Sequence, residues 1–253
     1  MVEYRADMHI HSEYSFDSDM TIKDIIKTLE EKKIKYLALT DHIEFGHDSV
    51  SKVIDTIKRR NYSIDKLQET TQIKIIKGVE ISEPHHYKKE TDTLLSSIND
   101  IDVVLGSIHH LYDKLLSNLA NTEDNMYLYL VQLFIMINES PIDVVAHLDY
   151  IKRYFNRFYA DPELLNKILN TIIEKDITME INTSGVRRGV SIFPNSQIIK
   201  IYTELGGSKV TFGSDAHKLN ELYDNIEEKY NELKELKLTP GVIIGHKFKS
   251  IKK

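Results

Sequence analysis

The sequence predicts an α/β barrel of seven strand–helix units, one fewer than the usual eight. Three observations carry that reading. Seven short runs rich in Ile, Val and Leu recur along the 253 residues, as strands buried on both faces of a parallel sheet do. Segments of helical periodicity fall between them. The candidate ligand residues sit at or just past the C-terminal ends of the runs. A barrel gathers those ends around one mouth, whereas a doubly wound open sheet, the rival architecture, spreads them along a line.

The expected strands are residues 6–10, 36–40, 73–81, 102–107, 142–146, 178–182 and 209–213. The first expected helix, 21–33, opens on Thr21 as a cap and places Ile25, Ile26 and Leu29 on one face. Residues 124–138 form a strongly apolar second helix. Asp161 followed by Pro162 gives a cap and a first-position proline for a helix through residue 173. Helices over 196–205 and 219–236 complete the set, and Gly206-Gly207 reads as a C-terminal stop. No linker rich in Pro, Gly or Ser interrupts the pattern, so residues 1–253 are expected to form a single domain.

Composition narrows the chemistry. An apolar content of 41% and a charged content of 28% suit a soluble globular chain. No apolar run approaches the ~18 residues that span a bilayer. The N-terminus lacks the charged start and apolar stretch of a signal peptide, so a cytoplasmic location is expected. The absence of cysteine rules out disulfides and thiolate ligands. A bound metal must take nitrogen and oxygen donors, which suits zinc, manganese or iron. The net charge of −6 argues against nonspecific nucleic-acid binding, and the short basic run at 247–253 reads as a solvated end.

Two pairs of residues stand out. His9 and His11 lie near the start, and Asp215 and His217 near the end. Residues i and i+2 of a strand point to the same face, so each pair aims two ligands at one point. His42, Glu80, His109 and His147 each follow a hydrophobic run. His47, His85, His86 and His246 read as surface or hydrogen-bonded histidines. Strand alternation allows only one of His109 and His110 to face the site. Asp41 is either a surface carboxylate or a partner orienting an imidazole. Asp149 either caps a turn or helps to bind substrate. Tyr127, Tyr129 and Tyr150 read as packing residues.

Six motifs in order then resemble the PHP (polymerase and histidinol phosphatase) metal-dependent phosphoesterases. They are Asp7-Met8-His9-Ile10-His11-Ser12, Leu39-Thr40-Asp41-His42, Gly78-Val79-Glu80, Leu105-Gly106-Ser107-Ile108-His109, Val145-Ala146-His147-Leu148-Asp149 and Gly213-Ser214-Asp215-Ala216-His217. Within the family, Glu180-Ile181-Asn182-Thr183-Ser184-Gly185-Val186-Arg187 is similar to a segment of histidinol-phosphate phosphatases. So are the runs from His147 to Tyr154 and from Phe193 to Ser196.

The resemblance implies a distorted seven-stranded (β/α)7 TIM-like barrel holding three divalent ions. His9, His11, Glu80 and Asp215 would hold the first ion. Glu80 would bridge to a second, also bound by His109 and His147, and Asp17, His42 and His217 would hold the third. The implied reaction is hydrolysis of a small phosphate monoester, L-histidinol phosphate, in histidine biosynthesis, with a hydroxide shared between metals as nucleophile. Asp215, His217 and His42 are the residues nearest the reacting centre, with Asp215 and His217 as candidate proton donors. Arg153 and Arg187 are the candidate phosphate clamps, with Arg188 as alternative to Arg187. A phosphodiesterase or exonuclease shares this ligand set and is the nearest rival. An inactive metal-binding module is the other, although all nine ligand positions are filled here.

Overall fold

The computed structural model describes residues 4–46, 48–155 and 160–251. The chain runs β1 (Ala6–Ile10), α1 (Ile22–Glu31), β2 (Tyr36–Leu39), β3 (His42–Ile43), α2 (Val50–Gln68), β4 (Lys74–Ser82), α3 (Lys88–Ser97) and β5 (Val103–Ser107). It continues through a small hairpin, β6 (His110–Leu111) and β7 (Lys114–Leu115), then α4 (Glu123–Glu139), β8 (Val144–Val145), α5 (Pro162–Glu174) and β9 (Thr178–Asn182). It ends with α6 (Ser196–Glu204), β10 (Lys209–Gly213), α7 (Ile226–Leu233), β11 (Thr239–Ile244) and β12 (Lys247–Ser250).

One ten-stranded sheet runs in the order β1-β2-β4-β5-β8-β9-β10-β11-β12, with β3 on β4. Within this sheet all pairings are parallel except β11–β12, and the separate β6–β7 hairpin is antiparallel. All seven expected strands form, but the cylinder does not close by a strand ladder. Among the described residues β1 forms no ladder with the start of β10, and Tyr4 bridges β10 to β11 just past their two register pairs. Its hydroxyl accepts from Phe212 N (3.2 Å) and donates to Gly241 O (2.9 Å). β10 instead pairs at its start with β11. β1 and β10 are hydrogen-bonded backbone to backbone towards their C-terminal ends, through Asp215 N to His9 O (2.8 Å) and His11 N to Ala216 O (3.0 Å). The mixed α/β class and the parallel order stand; the expected closed seven-strand cylinder is corrected to a sheet joined at its C-terminal rim.

The helices follow their caps. Thr21 Oγ1 accepts from Asp24 N, and α1 buries Ile22, Ile25, Ile26 and Leu29. Asp161 caps α5 through Leu164 N, with Pro162 at its first position. Gly206, at φ 95°, ends α6 as expected. α2 and α3 are elements that the periodicity missed. The expected helix over 219–236 contracts to α7, because the chain before it is tied to the strand ends. Tyr223 N donates to Asp7 Oδ2 (2.8 Å), Thr183 Oγ1 donates to Asp224 O (2.7 Å), and Asn225 takes φ 59°.

The basic end is partly structured. Lys247–Ser250 is β12, and Gly245 and His246, both at positive φ, form the two-residue turn that right-twisted hairpins favour. Residues 252–253 of that run lie outside the described residues, as does His47. Among the described residues no helix is long and apolar enough to cross a membrane.

Candidate active site

Glu80 is the floor of the site. It sits in β4 between Val79 and Ile81 and is fully buried. Oε1 lies 2.9 Å from His147 Nε2 and 3.5 Å from His109 Nε2. Oε2 lies 3.2 Å from His9 Nε2, 3.5 Å from His11 Nε2 and 3.0 Å from His42 Nδ1. One carboxylate thus faces five imidazoles carried by four different segments, with His9 and His11 sharing one.

The remaining expected ligands close the group. Asp215 Oδ1 lies 3.3 Å from His11 Nε2 and 3.8 Å from His9 Nε2. His217 Nε2 is 3.1 Å from Asp17 Oδ2, and His42 Nε2 is 3.6 Å from the same oxygen. All nine residues are therefore brought together. Three sets, His11–His42–His217, His9–His11–Glu80 and His42–Glu80–His109, have donor atoms mutually within 4.8 Å. His42 belongs to two of them, so the partition among ions is less sharp than the sequence implied.

The backbone is bent to achieve this. His147 and Asp215 hold φ of 26° and 53°, uncommon for non-glycine residues. Each is pinned: His147 N donates to Glu180 Oε2 (2.8 Å) and Asp215 N to His9 O. Such strain persists where the surroundings over-determine it. Gly213 is needed for close approach, since a Cβ there would sit 2.4 Å from His9 Cβ and 2.3 Å from Glu180 Oε1.

Charge compensation is strong among the protein groups. Burial opposes ionisation of Glu80, yet His9, His42 and His109 hold it well below the usual carboxylate range. Burial also opposes a charge on His42, but Glu80 and Asp17 push its pKa up to about 10. His9 is raised against burial by Glu180, Glu80 and Asp215. His11 moves the other way, to about 3, through burial and the neighbouring His42 and His217.

Several residues that sequence reasoning left without a role hold this cluster. Glu180 accepts from His9 Nδ1 (2.7 Å) as well as from His147 N. A carboxylate between Met179 and Ile181, in a strand buried on both faces, is the signal that would have found it. Asp7 accepts from Ser214 N and Oγ and from Tyr223 N. Asp41 bonds no imidazole. It pairs with the buried Arg60 (Nη1 to Oδ2, 3.1 Å) and accepts from Ser12 and Ser15.

Over the cluster opens a cavity of about 550 Å³ lined by Phe16, Glu44, Tyr150, Arg153, Arg187 and Arg188 among others. Arg153 stacks on the Tyr150 ring (4.5 Å) and donates to Ser184 Oγ (3.0 Å). Arg187 donates to the carbonyls of Ser214 (2.9 Å) and Asp215 (3.2 Å), so it braces the segment carrying Asp215 and His217. Arg188 is exposed at the rim.

The other expectations sort cleanly. His110 turns to Glu83 (3.2 Å) while His109 lines the cavity. His85 and His86 both reach Gln132 Oε1, and His246 reaches Asp143. Asp149 is buried behind the site, bonded to Lys152 and Asn195. Of the three tyrosines, Tyr129 packs in the core, Tyr127 is exposed, and Tyr150 lines the cavity beside His147.

Fold and site define a mixed α/β protein that converges histidine and carboxylate side chains at the C-terminal ends of a parallel sheet. A family model described as the PHP domain matches residues 7–184, and the chain belongs to that family. It is similar to a protein of Thermotoga maritima named probable histidinol-phosphatase, 29% identical over 250 residues, covering 97% of this chain and 98% of that one. A probable histidinol-phosphatase of Clostridium acetobutylicum is 30% identical over 228 residues, covering 83% and 86%. The crystal structure of histidinol phosphate phosphatase from Lactococcus lactis, complexed with zinc, L-histidinol and phosphate, has the same fold. Its TM-score is 0.83 at 22% identity, over 98% of this chain and 99% of that one.

Proposed function

We propose that this protein is a metal-dependent phosphomonoesterase that hydrolyses L-histidinol phosphate to L-histidinol and phosphate. The observation that carries the chemistry is Glu80, whose two oxygens are shared among five imidazoles at the floor of an open cavity. The full-length similarity to histidinol-phosphatases supports the substrate. We read the fold as a distorted relative of the seven-unit barrel, one domain with one continuous core, acting in the cytoplasm.

The donor set suits divalent cations. It is rich in imidazole and carboxylate, and the buried Nδ1 atom of His147 has no hydrogen-bond partner among the described residues. We assign His9, His11, Glu80 and Asp215, then Glu80, His109 and His147, then Asp17, His42 and His217 to three ions of zinc, manganese or iron. When bound, such ions neutralise phosphate charge and acidify water. The chain's own residues do the rest. Glu80 fixes the spacing of the imidazoles, and Glu180 orients His9. Arg153, on the cavity wall and stacked on Tyr150, offers its planar fork to phosphate oxygens. Asp215, His217 and His42 border the space where the ester oxygen must receive its proton.

The test is phosphate release from L-histidinol phosphate, an aryl phosphate and a nucleotide diester, by protein loaded separately with manganese, zinc and iron. A kcat/KM for histidinol phosphate several orders above the others is expected. Equal weak rates on all monoesters would discard the substrate, and turnover of the diester alone would discard the reaction.

The two arginines should separate in their effects. Arg153→Ala should raise KM or lower kcat by about 10- to 100-fold while metal content stays constant, the loss of one charge-assisted phosphate contact being ~1.5–3 kcal/mol. Arg187→Ala should also lower metal retention, because it frees the Ser214 and Asp215 carbonyls. Parallel metal analysis and kinetics distinguish them.

Protons should compete with metal. The His42 pKa in the protein alone is about 10, against 6.5 for free histidine. At pH 7 His42 therefore carries a proton that metal must displace. Metal affinity should rise with pH up to about 10, with proton release on zinc addition. The sign reverses for the metal-free fold: stabilisation by His42 is complete below pH 6.5 and lost as pH rises through 10. The Tm of chelator-treated protein should fall across that window; a flat or rising Tm would contradict this.

A further inference from the structure

We propose that Ser15, aimed by the buried Asp41–Arg60 pair, is a positioning residue that fixes the proton of His11 on Nδ1 and leaves Nε2 bare toward Glu80 and Asp215. The link to catalysis rests on reading His11 as a metal ligand.

The argument is a count of donors and acceptors. A serine hydroxyl has one proton to give and two lone pairs to receive with. Ser15 Oγ has three partners: Asp41 Oδ1 at 3.0 Å, His42 N at 3.0 Å and His11 Nδ1 at 3.1 Å. A carboxylate oxygen only accepts, so the hydroxyl proton goes to Asp41. A backbone N–H only donates, so His42 N takes one lone pair. The lone pair that remains faces His11 Nδ1, which must therefore carry the proton. A neutral ring protonated at Nδ1 is bare at Nε2, the atom 3.3 Å from Asp215 Oδ1 and 3.5 Å from Glu80 Oε2.

His11 differs in this from His9 and His217. His9 Nδ1 faces a carboxylate, Glu180 Oε1, and His217 Nδ1 faces the carbonyl of Asp215. Those oxygens accept in one direction only. A serine alone is two-faced and would hold either tautomer; Asp41 removes the ambiguity.

Asp41 is in turn held rigidly. It accepts from Ser12 N (2.6 Å) and from Arg60 Nη1 (3.1 Å). Arg60 also donates twice to Asn61 Oδ1, and Asn61 Nδ2 donates to Asp100 Oδ1. Asp41 and Arg60 are fully buried, and neither they nor Ser15 line the cavity. The chain of bonds thus runs from α2 through the core to the end of β1 without touching substrate space.

The experiment uses full-length protein labelled with 15N-histidine, as wild type, Ser15→Ala and Ser15→Thr. Long-range 1H–15N correlation spectra of metal-free protein at neutral pH report the His11 tautomer, assigned with a His11→Asn variant. Chelator competition on zinc-loaded protein counts how many equivalents are retained. We expect wild-type His11 in the Nδ1–H form and loss of that preference in Ser15→Ala. One zinc equivalent should be released about 10- to 100-fold more readily, the usual effect of removing a partner of a ligating histidine. Ser15→Thr keeps the hydroxyl and should restore both readouts. An Nε2–H form in the wild type, or a folded Ser15→Ala with unchanged tautomer and zinc retention, would overturn the proposal. If wild type bound no zinc, the metal reading would fail and the tautomer spectra would still decide the role of Ser15.

Discussion

Replacing Glu80 with glutamine is expected to lower turnover by about 10³-fold or more, equivalent to ~4 kcal/mol of transition-state stabilisation, and to cost at least one equivalent of metal. Glutamine keeps the size of the side chain. It loses the charge and turns one acceptor oxygen into a donor NH2 among His9, His11, His42, His109 and His147. That NH2 cannot act as a ligand where a carboxylate oxygen had been shared. A peripheral ligand should matter less. Asp17 stands at the cavity edge, 38% exposed, and contacts only His42 and His217 among the cluster; water can replace part of what it supplies. Metal stoichiometry and kcat/KM for Glu80→Gln and Asp17→Asn, measured side by side, test the ranking. A Glu80 variant with full metal and full rate would remove the bridging role.

The parts of this molecule that sequence made legible are those where local pattern and tertiary role agree. The bounds of β1, β9 and β10 match the apolar runs residue for residue, because strands buried on both faces need no help from their neighbours to be recognised. His9, His11, His42, Glu80, His109, His147, Asp215 and His217 stood out as candidates because i, i+2 geometry and strand ends are local properties, whereas Asp17, in the loop after β1, came only with the family resemblance. α2 was hidden because its buried face is Ile57, Arg60, Asn61 and Ile64, half of it polar, so no apolar stripe marks it. The roles of Glu180 and Ser15 were equally invisible, since each depends on a partner brought up by the fold: His147 lies 33 positions from Glu180, and Asp41 lies 26 from Ser15. The break in the cylinder was hidden because β10 takes β11 as its partner at its start, a long-range pairing that Tyr4 extends by bridging Phe212 N to Gly241 O. Arg187 shows the same limit from the other side. Its type and position suggest a phosphate clamp, and the fold adds a second role that no local pattern announces: two of its five N–H donors brace the Ser214 and Asp215 carbonyls.

Arg60→Met is expected to destabilise the fold by about 3–5 kcal/mol, the usual cost of leaving one member of a buried ion pair uncompensated. For a chain of this size that corresponds to a fall in Tm of roughly 10 °C. Methionine fills much of the volume, so the loss would come from Asp41, left charged in the core with Ser12 and Ser15 as its remaining partners. This attribution can be separated from lost packing by adding Asp41→Asn. Removing the second charge should return part of the stability, making the double variant less destabilised than the sum of the two single ones. Additive losses would show that Arg60 acts through its contacts with Asn61 and the surrounding core instead. The same cycle bears on why a buried charge pair stands here at all. An apolar pair of equal volume would cost less desolvation, but it could not orient the hydroxyl of Ser15 or hold the backbone at Ser12, both of which border His11.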